Sequence, residues 1–206
     1  MHRVLRAGRA HPRGQSLVEF AMILPLLLLL ILGAIEFGFA FNHHLTLEYA
    51  TREGARVGSS LVNGGGPLGC PPPSVKSPNW KDVDNRIIAA VERVLASSGS
   101  PVELDQIAEI RIYKADAAGD QIGGFANVWT YTPMAGPLVD GTPLDFSPPA
   151  TDAWPACSRS NVQPADSIGV SLSYSYQLRT PFLNLAGIGS LPMGDRTVMA
   201  MNPTNL

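Results

Sequence analysis

The sequence predicts an α+β fold. A long N-terminal transmembrane helix continues into a domain with a second helix and a 3–4-stranded antiparallel sheet. Three observations carry this reading. Leu17 to Phe41 is an apolar run in which only Glu19 and Glu36 are charged. Val83, Ile87, Ile88, Val91, Val94 and Leu95 follow the 3.6-residue period of an amphipathic helix. Later segments alternate, most clearly Ile168, Val170, Leu172, Tyr174 and Tyr176 against Gly169, Ser171, Ser173, Ser175 and Gln177. Helices followed by a run of strands is an α+β order.

The 206 residues suffice for an anchor and one modest domain. The formal net charge is −2, and no basic stripe runs through the body of the chain, which argues against nucleic-acid binding. The charge is uneven: residues 1–14 carry Arg3, Arg6, Arg9 and Arg13 and no acid. A bilayer core of ~30 Å needs about 20 apolar residues in a helix, so Leu17–Phe41 can span it. The arginines precede the span, and the positive-inside bias places the N-terminus in the cytoplasm. The localisation expected is the cytoplasmic membrane, single-pass, with the C-terminal domain extracytoplasmic. A cleaved secretory signal is the rival reading; Glu36, Phe37 and Phe39 crowd the position where its cleavage site would fall. Pro25 predicts a kink in the span. Glu36, near the outer end, reads as snorkelling to the interface.

The helical pattern continues past the membrane to about residue 59. Small or short residues recur every fourth position: Ala34, Gly38, Asn42, Thr46, Ala50, Gly54 and Gly58. Such a row lets another backbone approach closely, so Ala34, Gly38, Gly54 and Gly58 are candidate helix-packing positions, for a partner helix or for the chain's own domain. Glu48 and Arg52 form a favourable i,i+4 pair. His43 and His44 diverge by ~100° on a helix, which suits interfacial polar residues better than a shared metal.

Three parts follow: a basic leader at 1–14, a membrane helix and stem at 15–60, and an extracytoplasmic α+β domain at 61–206. Asn63-Gly64-Gly65-Gly66-Pro67 ends the stem; no Gly-Lys-Ser/Thr follows, so it is no phosphate loop. Trp80 to Ser98 is the second helix, with Asp82 or Asp84 in its first turn and Gly99 and Pro101 closing it. Strands are expected at Ile107–Lys114, Val128–Tyr131, Ile168–Leu178 and Thr197–Met201. Residues 132–165 hold many prolines and no period, and read as a long surface loop pinned at Cys157. Cys70 and Cys157 are the only cysteines, both in loops of a domain expected outside the cytoplasm, which suggests one disulfide. The alternative, two free thiols or a metal pair, lacks Cys or His company.

Nothing points to catalysis. Asp105, Glu109, Asp116 and Asp120 scatter over strand and turn, too sparsely for a Ca²⁺ loop. No nucleophile elbow or zinc-binding helix motif is present, and no histidine follows His44. No cofactor, metal or catalytic residue is expected.

The most specific motif is Gly14-Gln15-Ser16-Leu17-Val18-Glu19-Phe20, a glycine with Glu five positions later and an aromatic after it. It resembles the prepilin peptidase site of type IVb pilins of the tight-adherence (Tad, or Flp) system. The wider run GQSLVEFAMILPLLLLLILGAIEFG, followed by YATREGARVG, resembles the TadE-like minor pseudopilins across residues 13–58. The resemblance implies a pilin-like domain, cleavage after Gly14, and Gln15 as the new N-terminus. It implies that Glu19 pairs with the terminal amine of a neighbouring subunit, with Phe20 part of the recognition site. The implied function is a minor pseudopilin-like structural or assembly component of a Tad pilus or related secretion machine. The implied partners are a prepilin peptidase, other pilin-like subunits, Tad assembly platform proteins and the lipid bilayer. The alternatives are a membrane-anchored extracytoplasmic binding module that is never assembled, and an anchored hydrolase with a carboxylate site.

Overall fold

The computed structural model describes residues 14–61, 82–161, 164–180, 187 and 189–201. Its first element, α1 (Gln15–Leu61), is a single helix of 47 residues that continues through Pro25, or ~70 Å at 1.5 Å per residue. It is long and apolar enough to cross a membrane. The elements that follow are α2 (Val83–Leu95), β1 (Ile107–Ala115), β2 (Gln121–Tyr131), β3 (Leu138–Val139), β4 (Thr142–Pro143), β5 (Phe146–Ser147), β6 (Ser167–Gln177) and β7 (Ser190–Ala200). An α+β architecture with a candidate membrane helix is therefore what the chain adopts.

Two compact units result, Met1–Phe39 and Ala40–Leu206. In the first, the described helix turns its leucines, isoleucines and phenylalanines outward: Leu17, Met22, Leu30 and Phe37 are all more than 60% exposed. Glu36 is an exception, being buried rather than at a surface. In the second unit, α1 buries one face, made of His43, Leu47, Ala50, Thr51, Gly54, Ala55, Gly58 and Ser59. That is the 3–4 residue spacing of an amphipathic helix.

The covering elements are α2 and a five-stranded antiparallel sheet of order β5-β2-β1-β6-β7. Ile110 lies opposite Leu172, and Ile112 opposite Val170, in the central β1–β6 register; all four are buried. Helix α2 adds Val83, Ile87, Ile88, Val91 and Leu95 to the core. The helix ends at Leu95 with Ala96 as its C-cap, and in the turn beyond it Gly99 adopts φ +86°, a conformation glycine takes without steric penalty. Thr51 fastens α1 to the sheet's edge, its hydroxyl bonding Asp195 Oδ2 and lying 3.0 Å from Thr197 Oγ1.

The structure departs from the sequence reading in three places. β2 begins at Gln121 rather than Val128, because the depleted strand formers Gly123 and Gly124 sit inside it. β7 begins at Ser190 rather than Thr197; Pro192 and Gly194 obscured it, and an edge strand tolerates both. The third departure is the largest. Residues 132–165 are not a surface loop: Leu144, Phe146, Trp154, Ala156, Cys157, Arg159 and Asn161 are buried. This segment supplies the two-residue edge strand β5, paired to Thr130 and Tyr131, and the β3–β4 hairpin. Side-chain bonds hold much of it, so its sequence shows no period.

Candidate functional site

At the start of α1, the Val18 N–H donates to the Gly14 carbonyl at 3.2 Å, so Gly14 immediately precedes the first helical residue. Gln15 Nε2 donates to Glu19 Oε1 at 3.1 Å, one helical turn on. Gln15, Glu19 and Phe20 are all exposed, and among the described residues, its chain neighbours and own helix backbone aside, nothing lies within 4 Å of where a Gly14 side chain would stand. The structure thus places the motif in the accessible first two turns of the helix.

The small-residue row divides in two. Ala34 is exposed, and a Cβ on Gly38 would meet nothing within 4 Å. A Cβ on Gly54 would lie 2.6 Å from Val91 Cγ2 of α2 and 3.3 Å from Val170 Cγ1 of β6. One on Gly58 would lie 2.6 Å from Ile168 Cδ1 and 3.0 Å from Ile87 Cδ1. Gly54 and Gly58 therefore form the seat on which α2 and β6 rest. Glu48 pairs with Arg52 as the spacing implied, while Arg56 turns to Glu53, 2.6 Å away.

The acidic residues of β1 and its turn are occupied locally. Asp116 Oδ1 accepts the N–H groups of Ala118 and Asp120 at 2.8 and 2.9 Å, Asp120 pairs with Arg196 at 2.5 Å, and Glu109 with Arg111 at 2.7 Å. Among the described residues, no three or more His, Cys, Asp or Glu side chains group as metal ligands would. Cys157 is buried in a short 3₁₀ turn, and no described cysteine is free. Cys70 lies outside the described residues.

Two constellations escaped the sequence reading. The first is a buried polar network. The Arg159 side chain is fully buried, with Nη1 2.7 Å from Asp84 Oδ1, Nη2 donating to the Trp154 carbonyl at 2.9 Å, and its guanidinium 4.5 Å from the Trp154 ring centre. Asn127 Nδ2 donates to Asp84 Oδ2 at 2.8 Å and to Asp152 Oδ1 at 2.7 Å, and its Oδ1 accepts the N–H groups of Ala153 and Trp154. Burial raises the Asp152 carboxyl above its ordinary pKa, against the lowering effect of the Asn127 bond. Helix α2, strand β2 and the Pro-rich segment meet here.

The second is an open cavity of ≈440 Å³ lined by His43, Glu103, Tyr174, Gln177, Leu178 and Arg179. The Tyr174 hydroxyl stands 3.1 Å from His43 Nδ1, and the Tyr176 ring meets the imidazole edge-on at 4.8 Å between centres. Burial, then the nearby Arg179 charge, lower the His43 pKa, with Glu103 opposing; burial raises that of Tyr174. Imidazole and phenol are thus both neutral at pH 7. The two groups share one hydrogen bond, in which the neutral imidazole Nδ1 accepts from the Tyr174 hydroxyl in one tautomer and donates to it in the other. The inward phase of Tyr174 and Tyr176 was legible in the alternation of β6. His43 gave no sign, since its neighbour His44 is the same residue on a different face.

A largely outward-facing apolar helix running into the core of a helix-and-sheet domain defines a class: α+β domains tethered by one N-terminal helix. The family described as TadE-like protein has a model matching residues 14–56 of this chain, the stretch holding both the motif and the Gly54 seat. No curated protein and no solved structure matches the chain.

Proposed function

We propose that the chain is a minor pseudopilin-like structural or assembly component of a Tad (type IVb) pilus or a related secretion machine. The observation that carries this reading is the motif Gly14–Phe20, accessible at the head of an apolar helix inside a TadE-like stretch. A prepilin peptidase cuts after Gly14 on the cytoplasmic side and removes the arginine-rich leader. Gln15 then bears the terminal amine, and Glu19 pairs with that amine on a neighbouring pilin-like subunit. An intramembrane carboxylate is costly unpaired, and such pairing relieves the cost. The domain beyond the span stands outside the cytoplasm, with Cys70 and Cys157 joined, and Ala34 and Gly38 offer a close-approach surface to another helix in the bilayer. Assembly-platform proteins of the Tad system receive the matured subunit.

Mass spectrometry of the membrane-extracted chain, with and without a co-expressed prepilin peptidase, tests the reading. The expected result is loss of residues 1–14 only when the peptidase is present, and Gly14→Ala abolishes it. An intact N-terminus in both conditions leaves the unassembled binding module as the better account. Glu19→Ala is expected to keep cleavage and to weaken co-purification with pilin-like partners.

A further inference from the structure

We propose that the cavity of His43, Glu103, Tyr174, Gln177 and Arg179 binds the zwitterionic headgroup of an aminophospholipid. This rests on α1 being a membrane anchor, and not on peptidase processing or pilus assembly.

Position supplies the first argument. Phe41 is exposed and ends the apolar run, and His43 follows it by two residues on the same unbroken helix, a rise of ~3 Å. The headgroup layer adds ~5–8 Å to each side of the hydrocarbon core. The His43 wall of the cavity therefore lies at headgroup depth, whichever way the helix crosses.

Charge supplies the second. Among the described residues, the lining carries one cation, Arg179, and one anion, Glu103, both exposed. His43 and Tyr174 satisfy each other as a neutral pair, so neither adds charge. A ligand with phosphate alone would face Glu103 unfavourably, and one with ammonium alone would face Arg179. A phosphoethanolamine group carries both charges. Arg179 donates to the phosphate in a charge-assisted fork. Glu103 and the Gln177 amide oxygen accept from the primary ammonium, which has three donors; a choline headgroup has none to offer. The opening of ≈440 Å³ is ample for such a headgroup while its acyl chains stay in the bilayer.

The test uses the full chain in phosphatidylcholine nanodiscs containing equal minor fractions of phosphatidylethanolamine and phosphatidylglycerol, with retained lipids identified by native mass spectrometry. Phosphatidylethanolamine is expected to be enriched about tenfold over phosphatidylglycerol, relative to their supply. Arg179→Gln is expected to lower its retention about tenfold. Glu103→Gln is expected to remove the preference over phosphatidylglycerol while retaining phospholipid. Both residues are on the surface, so the fold survives either change. Equal retention of the lipids, or a preference unchanged in Glu103→Gln, overturns the site. Mole-for-mole displacement by soluble phosphoethanolamine overturns its assignment to lipid. A chain that fails to enter the discs overturns the anchor reading, and the lipid site with it.

Discussion

Residues 34–38 and residues 54–58 carry the same pattern, two small residues four apart, in one helix. At Gly54 and Gly58 the space a side chain would fill holds Val91, Ile87, Val170 and Ile168. At Gly38 it holds nothing within 4 Å. The difference lies in what the chain supplies to cover each pair. The second pair has an amphipathic helix and a sheet following it in sequence. The first lies in a stretch of exposed apolar side chains, on a helix long and apolar enough to cross a membrane. A small-residue row thus marks where a backbone is to be approached closely, and the rest of the chain decides whether the approach comes from within. Substitution on the domain side should cost folding free energy, and on the membrane side should leave the domain's folding unchanged.

The largest expected break on the domain side is at Arg159. Arg159→Met leaves the Asp84 carboxylate, whose side chain is only 13% exposed, without its guanidinium partner, and loss of one member of such a buried pair costs ~3–5 kcal/mol. Denaturant unfolding of the detergent-solubilised chain measures it. Adding Asp84→Asn removes the stranded charge and should recover part of the loss; a double variant no better than the single one would show that Arg159 acts through packing on Trp154 alone.

Gly54→Ala sharpens the comparison most directly. The new methyl meets Val91, whose χ1 is stiff in a helix, and Val170. Overpacking of this kind costs ~1–3 kcal/mol, against ~1 kcal/mol gained in helix propensity, so a net loss of about 1 kcal/mol is expected. Gly58→Ala makes its tight contacts with the Cδ1 ends of two isoleucines, which can rotate aside, and should cost less. Gly38→Ala should leave the unfolding transition of the domain where it was and alter only association between helices, read by crosslinking in membranes. A Gly38→Ala chain with a destabilised domain would erase the distinction.

The same contrast explains what was legible in the sequence. α2, β1 and β6 were visible because hydrophobic period specifies them, Val83 to Leu95 repeating at 3.6 and Ile168 to Tyr176 at 2, and α1 because its apolar run from Leu17 to Phe41 is broken only by Glu19 and Glu36. The Gly14–Phe20 motif was visible because it is read locally, from seven consecutive residues. The Pro-rich segment was misread because its fold rests on single side chains reaching far along the chain. Asn127 lies 25 residues from Asp152 and 43 from Asp84, and no local pattern records that. The cavity was missed for the same reason: Tyr174 lies 131 residues from His43. β2 and β7 lost their inner halves to Gly123, Gly124, Pro192 and Gly194, residues that edge positions accept and propensity rejects.

The smallest expected effect concerns His43, which stands just past the last residue of the apolar run and so on the domain side of the divide. Its pKa in the folded chain lies below the ordinary value of 6.5, from burial first and the Arg179 charge second, with Glu103 opposing. The unfolded chain therefore binds the proton more readily than the folded one, and stability falls as pH drops through 6.5 toward the folded value. Well above 6.5 the imidazole is neutral in both states and contributes no slope. His43→Gln removes this titration while offering a carbonyl to the Tyr174 hydroxyl. Unfolding free energies measured from pH 8 to pH 5 should therefore decline less steeply in the variant than in the parent. Equal slopes would mean that the imidazole takes up its proton in place, as an exposed interfacial residue does, and would move His43 to the membrane side of the comparison.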